Sequence, residues 1–106
     1  MRRGRVFYKD VFAGTIEEIA EGYRFTYDSR YLASRAAAPV SVTLPLGSAP
    51  IVSPTLHPFF DGLIPEGWLL SIAAKNWKLD ERDRMGLLLT VCKDCIGAVS
   101  VEAQDG

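Results

Sequence analysis

Histidine and cysteine are scarce in this chain of 106 residues, which contains one His and two Cys. The single imidazole, His57, stands between Leu56 and Pro58 in a proline-rich stretch. A serine or cysteine hydrolase needs a base within hydrogen-bond reach of its nucleophile, and no G-x-S-x-G sequence accompanies this His. The sequence also lacks a glycine-rich phosphate loop and the kinase H-R-D and D-F-G motifs. We therefore expect a protein that is not an enzyme and that needs no cofactor.

The two cysteines form one C-x-x-C motif, Cys92 to Cys95, in the sequence CKDC. Such a pair can be a redox couple or half of a zinc site. A redox couple normally precedes a helix, whereas these residues fall at the predicted end of one. A complete zinc site would need a second pair or clustered histidines. We interpret the cysteines as small buried apolar residues and expect no metal site.

An excess of one charge and long apolar runs are lacking as well. The net charge at pH 7 is -1. Positive charge is concentrated only in residues 1–5, which we expect to solvate the start of a strand, so direct nucleic-acid binding is not indicated. No apolar run reaches membrane-spanning length, and no signal peptide is visible. We expect one domain, residues 1–106, in the cytoplasm.

Three β-strand patterns occupy the first part of the chain. Residues 5–9 and 11–16 predict a hairpin, in which Gly14 marks a bulge or a close approach of other groups. Residues 23–27 place an aromatic side chain at every second position, as in a half-buried strand. The sequence therefore predicts a three-stranded antiparallel meander.

The middle of the chain predicts a short helix, a fourth strand and a loop. Asp28 or Ser29 caps a helix that runs through residues 31–33. Apolar residues then alternate with Ser and Thr over residues 40–44, which predicts a strand. Residues 46–58 have three prolines and no periodicity, and they predict a loop held on the surface.

A longer helix is predicted to begin at Pro65 and Glu66, because Pro suits the first turn and an acidic residue suits the positive end of the helix dipole. At about 100° per residue, one broad face is apolar and predicts burial of Leu69, Leu70, Ala73, Ala74 and Trp77. Trp68 falls on the opposite, polar face. Either the loop of residues 47–58 or another protein is expected to pack on Trp68. Another protein is considered because Trp is enriched in interface hot spots.

A second helix is predicted after Asp80 and Asp83, which resemble a capping pair. Acidic residues are favoured at a helix start, so we do not interpret them as an acid-base pair. The apolar stripe of this helix is expected to pack on the sheet or on the first helix, and it comprises Met85, Leu88, Leu89 and Cys92. Leu87 and Val91 lie away from that stripe, which allows a second apolar edge on this helix.

The last pattern, residues 98–103, predicts a closing strand in which Val99 and Val101 face inward. Strands from the two ends of the chain would then share one sheet. Together the patterns predict an α+β fold, with a small antiparallel sheet of about five strands packed with two main helices.

The sequence from His57 to Leu70, HPFFDGLIPEGWLL, combines aromatic residues with glycines and with a Pro at a predicted helix start. This combination indicates a fixed turn that presents a surface. The residues predicted to bind a partner are Phe59, Phe60, Asp61, Ile64, Pro65, Glu66, Trp68 and Ile72.

Three segments resemble the N-terminal subdomain of HipA-type serine/threonine kinases, the toxins of bacterial HipBA systems. They are VSVTLPL, FFDGLIPEGW and LLLTVCKDCIGAVSV. The similarity extends from the opening hairpin to Val101. One departure is Cys92, because the family usually has Gly two residues before the Asp of the last segment.

In those kinases the catalytic segments follow this subdomain. As a separate protein, such a chain resembles HipS-type antitoxins of three-gene HipBST systems, in which the kinase HipT lacks the subdomain and HipB binds DNA. The resemblance implies an inhibitor that binds HipT in a complex with HipB, contacts DNA only through that complex, and places the PEGW region near the kinase active site. The alternative is a structural subunit that completes the kinase and supports its activity.

Overall fold

The computed structural model describes residues 1–64, 66–67, 75, 80, 82–92 and 98–104. Its elements, in chain order, are β1 (Arg3–Tyr8), β2 (Val11–Ile19), β3 (Gly22–Tyr27), α1 (Ser29–Ala33), β4 (Ile51–Ser53), α2 (Pro58–Asp61), α3 (Arg84–Val91) and β5 (Val99–Gln104). Within these ranges no helix has the length and apolar character needed to span a membrane.

The five strands form one antiparallel sheet in the order β4-β3-β2-β1-β5. The first three strands are the predicted meander. The predicted closing strand is confirmed as well, because β5 pairs with β1, with Val101 opposite Val6. The α+β class and the number of strands are as the sequence predicted.

Gly14 occupies a crowded position beside an irregularity in the β1–β2 pairing. Val6 pairs with Gly14 and Phe7 pairs with Phe12, so Ala13 is the extra residue of a bulge. A Cβ atom at Gly14 would overlap the carbonyl oxygen of Thr26. Both interpretations of this glycine are therefore confirmed.

The two faces of the sheet differ in polarity, as antiparallel sheets allow. One face forms the core together with α2 and α3, and its fully buried residues include Val6, Ile16, Phe25 and Val101. The other face has cross-strand ion pairs, Arg24 to Glu17 at 2.9 Å and Arg5 to Glu102 at 3.6 Å. The elements discussed below therefore pack on one side only.

The strand predicted over residues 40–44 is wrong. These residues form a tight turn in which the Leu44 N–H donates to the Ser41 carbonyl at 3.0 Å, and Val42 is 96% exposed. The buried hydroxyl of Tyr27 accepts from the Val40 N–H at 3.0 Å and donates to the Leu44 carbonyl. This side chain satisfies backbone groups that a strand would have paired with a neighbouring strand.

The fourth strand lies instead inside the predicted loop. β4 pairs with residues 23–25 of β3 and occupies the edge of the sheet. Pro50 and Pro54 stand immediately before and after this three-residue strand. Prolines are tolerated at such an edge, where one side of the strand has no ladder partner.

Local capping signals predicted α1 and α3 correctly. Asp28 accepts from the N–H groups of Arg30 and Tyr31, and Asp83 accepts from that of Gly86. Leu87 is fully buried as well, which agrees with a second apolar edge beside the predicted stripe. Since α3 contacts both β5 and α2, a wider face of this helix is covered than one stripe.

Of the helix predicted to begin at Pro65 and Glu66, the structure describes Glu66, Gly67 and Lys75. Lys75 is helical, but Gly67 has φ +62°, which residues of a right-handed helix do not adopt, so the predicted start is wrong. The rest of the predicted helix lies outside the described residues. Its apolar face, the position of Trp68 and the packing of Cys95 therefore stay predictions.

Candidate partner-binding site

The predicted site begins with α2, a single helical turn whose start is capped by His57. The Phe59 N–H donates to Nδ1 of His57 at 3.1 Å, and the Gly62 N–H donates to the Pro58 carbonyl at 2.9 Å. Burial lowers the pKa of His57, which keeps the ring neutral and Nδ1 available as an acceptor. The only imidazole of the chain therefore has a structural role.

Phe60 and Ile64 fix this segment to the hydrophobic core. Phe60 is fully buried, with its ring centroid 5.4 Å from that of Phe25 on β3, and Ile64 is 2% exposed. The neighbouring Phe59 ring is half-buried and lies 5.2 Å from Phe60. Burial leaves Phe60 and Ile64 almost no side-chain surface for a partner, so these two predicted binding residues serve to position the segment.

Two contacts join the segment to α3. Arg84, the first residue of α3, donates from Nε to Oδ1 of Asp61 at 2.6 Å. At the other end of the helix, the Cys92 thiol donates to the Leu63 carbonyl at 3.3 Å. Cys92 is fully buried, which confirms its interpretation as a small packed residue. Residues 57–64 are thus held by the sheet on one side and by α3 on the other.

The chain is at the surface at Glu66 and Gly67. Glu66 and Gly67 are both exposed, and Gly67 adopts φ +62°, a left-handed conformation that favours glycine. Of the eight predicted binding residues, Phe59 and Asp61 are partly exposed and Glu66 is exposed. Pro65, Trp68 and Ile72 lie outside the described residues.

An ion network that no sequence pattern predicted joins α3 to β2 and to the N-terminal residues. Arg2 Nε lies 2.9 Å from Glu18 Oε1, and Arg2 Nη1 lies 2.8 Å from Asp83 Oδ2. Hydrogen bonds from this guanidinium lower the pKa of Glu18 and of Asp83. Arg2 therefore does more than solvate the start of β1. Its partner Asp83 is 81 residues away, a separation at which no local sequence signal exists.

Comparison with known proteins gives consistent results over nearly the whole chain. The family model described as "HipA N-terminal domain" matches residues 4–102. A solved structure, the "N-terminal domain of HipA toxin", has a TM-score of 0.75 and 30% sequence identity, covering 99% of this chain and 94% of that chain. A protein of Haemophilus influenzae described as uncharacterized is 34% identical over 104 residues, covering 98% of this chain and 94% of its own length.

Proposed function

Because the chain belongs to the HipA N-terminal domain family, we propose that it is a HipS-type antitoxin, which binds and inhibits a HipA-like serine/threonine kinase of the HipT type. The observation that carries the proposal is the similarity in sequence and fold to the N-terminal domain of a HipA toxin. In the kinases that the chain resembles, this domain is joined to the catalytic segments, so one of its surfaces is suited to contact a kinase. The complex would be cytoplasmic and would include a HipB-like DNA-binding protein.

Inhibition in this proposal depends on the stretch that follows Ile64. Residues 57–64 are held by the core and by α3, while Glu66 and Gly67 are exposed and lead directly into Trp68. Because residues 57–64 are fixed before binding, their contact with a partner costs little conformational entropy. We propose that Trp68 enters a groove beside the kinase active site and that Phe59 and Ile72 contribute to the same contact. A standard interface of about 1,600 Å² would be sufficient.

The test is growth of bacteria that express the kinase together with this protein. Wild type is expected to restore growth. Trp68→Ala is expected to weaken binding by at least about thirtyfold, or about 2 kcal/mol, because truncation removes an interface anchor. Glu21→Ala, a change at an exposed position in the turn between β2 and β3, is the control and should restore growth like wild type.

Folding of each variant is checked by circular dichroism, because loss of a core Trp would unfold the domain and mimic loss of binding. A folded Trp68→Ala protein that binds as wild type does would contradict the anchor role. Failure of wild type to restore growth would contradict the antitoxin function itself.

A second candidate function follows from the same similarity. The solved relative is a domain of a toxin, and such a domain can complete a kinase as well as restrain it. A structural subunit would bind the kinase through a similar surface but would support kinase activity instead of inhibiting it. Co-expression with wild type would then increase toxicity, which separates this function from that of an antitoxin.

A further inference from the structure

The chain contains a long stretch with no Asp, Glu, Lys or Arg. This stretch, residues 36–60, lies between Arg35 and Asp61 and is called the uncharged segment below. Charged residues make up 24% of the chain, so a stretch of 25 residues would be expected to contain about six. The segment also carries five of the six prolines of the chain.

Burial does not explain this lack of charge. Of the 25 residues, 14 are exposed, and only Val40, Leu44, Leu56 and Phe60 are buried. The exposed residues include three large apolar side chains, with exposed fractions of 96% for Val42, 55% for Val52 and 39% for Leu46. Depletion of charged residues is what distinguishes the centre of a protein interface from the rest of a protein surface.

Val42, the most exposed of these side chains, lies in a turn that hydrogen bonds hold to the sheet. Val42 lies at the tip of the turn that the Tyr27 hydroxyl holds on both sides, through the Val40 N–H and the Leu44 carbonyl. Within the turn, the Ser41 and Thr43 hydroxyls lie 3.0 Å apart, and the Thr43 N–H donates to Ser41 Oγ at 3.3 Å. The apolar side chain is therefore presented at little further cost in conformational entropy.

We infer that the uncharged segment is a docking surface for the HipA-like kinase, with Val42 seated in an uncharged, apolar part of the kinase surface. The inference rests on the proposed function. A nucleic acid does not fit this surface, because phosphate binding requires cations. The turn at Val42 and α2 lie on the same side of the sheet, because Tyr27, which holds the turn, is next to Phe25, which packs on Phe60, with ring centroids 4.8 Å and 5.4 Å apart. One partner can therefore cover both the turn and the segment that begins with α2. Val52 is not part of this surface, because it lies opposite Arg24 on the ion-paired face of the sheet.

The experiment measures the dissociation constant between the purified kinase and wild type, Val42→Asp or Val42→Lys. Both substitutions place a charge where the complex would exclude water, so each is expected to weaken binding at least tenfold whatever its sign. Thr15→Asp is the matched control. Thr15 lies on the ion-paired face of the sheet, opposite Arg5 and Thr26, and this variant should bind within twofold of wild type.

The outcomes separate the docking surface from the antitoxin function. If wild type binds and both folded Val42 variants bind within twofold of it, the docking surface is overturned and the antitoxin function stands. The docking surface is also overturned if only one of the two Val42 variants binds the kinase more weakly, or if Thr15→Asp weakens binding as much as they do. If wild type does not bind the kinase, the antitoxin function fails as well.

Sedimentation tests a different occupant of this surface. If wild type is a dimer and Val42→Asp is a monomer, the surface binds a second copy of the chain, and docking of the kinase there is overturned. If one Val42 variant does not fold, the dissociation constant of the other variant tests the docking surface.

Discussion

The hydroxyl of Tyr27 is the only side-chain group that joins both ends of the turn at Val42 to the sheet in the described part of the chain. Tyr27→Phe would leave the Val40 N–H and the Leu44 carbonyl without this partner in a buried environment. An unsatisfied buried polar group costs about 1–3 kcal/mol, so we expect the free energy of unfolding to fall by about that amount. Urea denaturation followed by circular dichroism measures it.

Tyr23→Phe is the matched control for this change. Tyr23 lies on the same face of β3 but is only half-buried, so its hydroxyl is expected to contribute less than about 0.5 kcal/mol. Equal losses for the two variants would contradict the role given to the Tyr27 hydroxyl. The sequence placed Tyr27 on the inward face of its strand but gave no sign of its hydrogen bonds, whose partners are 13 and 17 residues away.

Among the secondary-structure elements, α3 depends on a charge near the N terminus. Arg2 binds Glu18 on β2 and Asp83 at the start of α3 and lowers the pKa of both carboxyls. A carboxyl group whose pKa is lowered by folding stabilises the protein at pH values above its ordinary pKa, which is 4.5 for Glu18 and 3.8 for Asp83. This stabilisation is lost as the pH falls through the lowered pKa of each group. Because the network is partly exposed, Arg2→Gln should cost about 1 kcal/mol at pH 7.

The difference in unfolding free energy between wild type and Arg2→Gln should therefore narrow below pH 4.5. Urea titrations at a series of pH values from 7 to 2 test this expectation. Arg5→Gln, which breaks the longer contact of 3.6 Å to Glu102, serves as control and should cost less than about 0.5 kcal/mol. A difference for Arg2→Gln that does not change with pH would contradict the network.

Elements with local signals were predictable, and elements decided by distant partners were not. The caps at Asp28 and Asp83 and the alternating aromatics of β3 act within a few residues, so the sequence identified α1, α3 and the meander. The alternation over residues 40–44 is equally regular, but β4 takes the edge of β3 and Tyr27 binds the turn. Tertiary contacts decide whether residues 40–44 or residues 51–53 pair with β3, and neither sequence pattern reveals those contacts.

The candidate site shows the same limit. The family resemblance rested on three segments together, one of which was FFDGLIPEGW. In the sequence, the apolar residues of that segment could not be divided into buried residues and residues that face a partner. Periodicity does not separate an apolar side chain that supports a segment, such as Phe60 at 0% exposure, from one that faces a partner. The depletion of charge over residues 36–60 was visible in the sequence, but its meaning required the exposed fractions from the structure.

For the molecule as a whole, the last strand is essential because it covers the first. Val101 is fully buried opposite Val6, and its N–H donates to the Cys92 carbonyl at 2.9 Å. Val101→Asp would bury an unpaired charge, a penalty comparable to the whole stability of a small domain, about 5–15 kcal/mol. We expect this variant to be unfolded in circular dichroism and to elute early in gel filtration.

The neighbouring Ser100→Asp is the control for this substitution, because residue 100 points to the opposite, solvated face of β5. It should fold with a loss of less than about 0.5 kcal/mol. A folded Val101→Asp protein, or an unfolded Ser100→Asp protein, would contradict the register of β5.

The position of β5 also determines the order in which a nascent chain can complete its sheet. β2 and β3 leave the ribosome soon after β1 and can pair with it in sequence, but the outer edge of β1 has to wait for residues 99–104. At about 5–20 residues per second, this interval lasts roughly 5–20 s. During synthesis, every copy therefore carries an open strand edge that can pair with a neighbouring nascent chain. Until residues 99–104 pair with β1, aggregation therefore competes directly with folding.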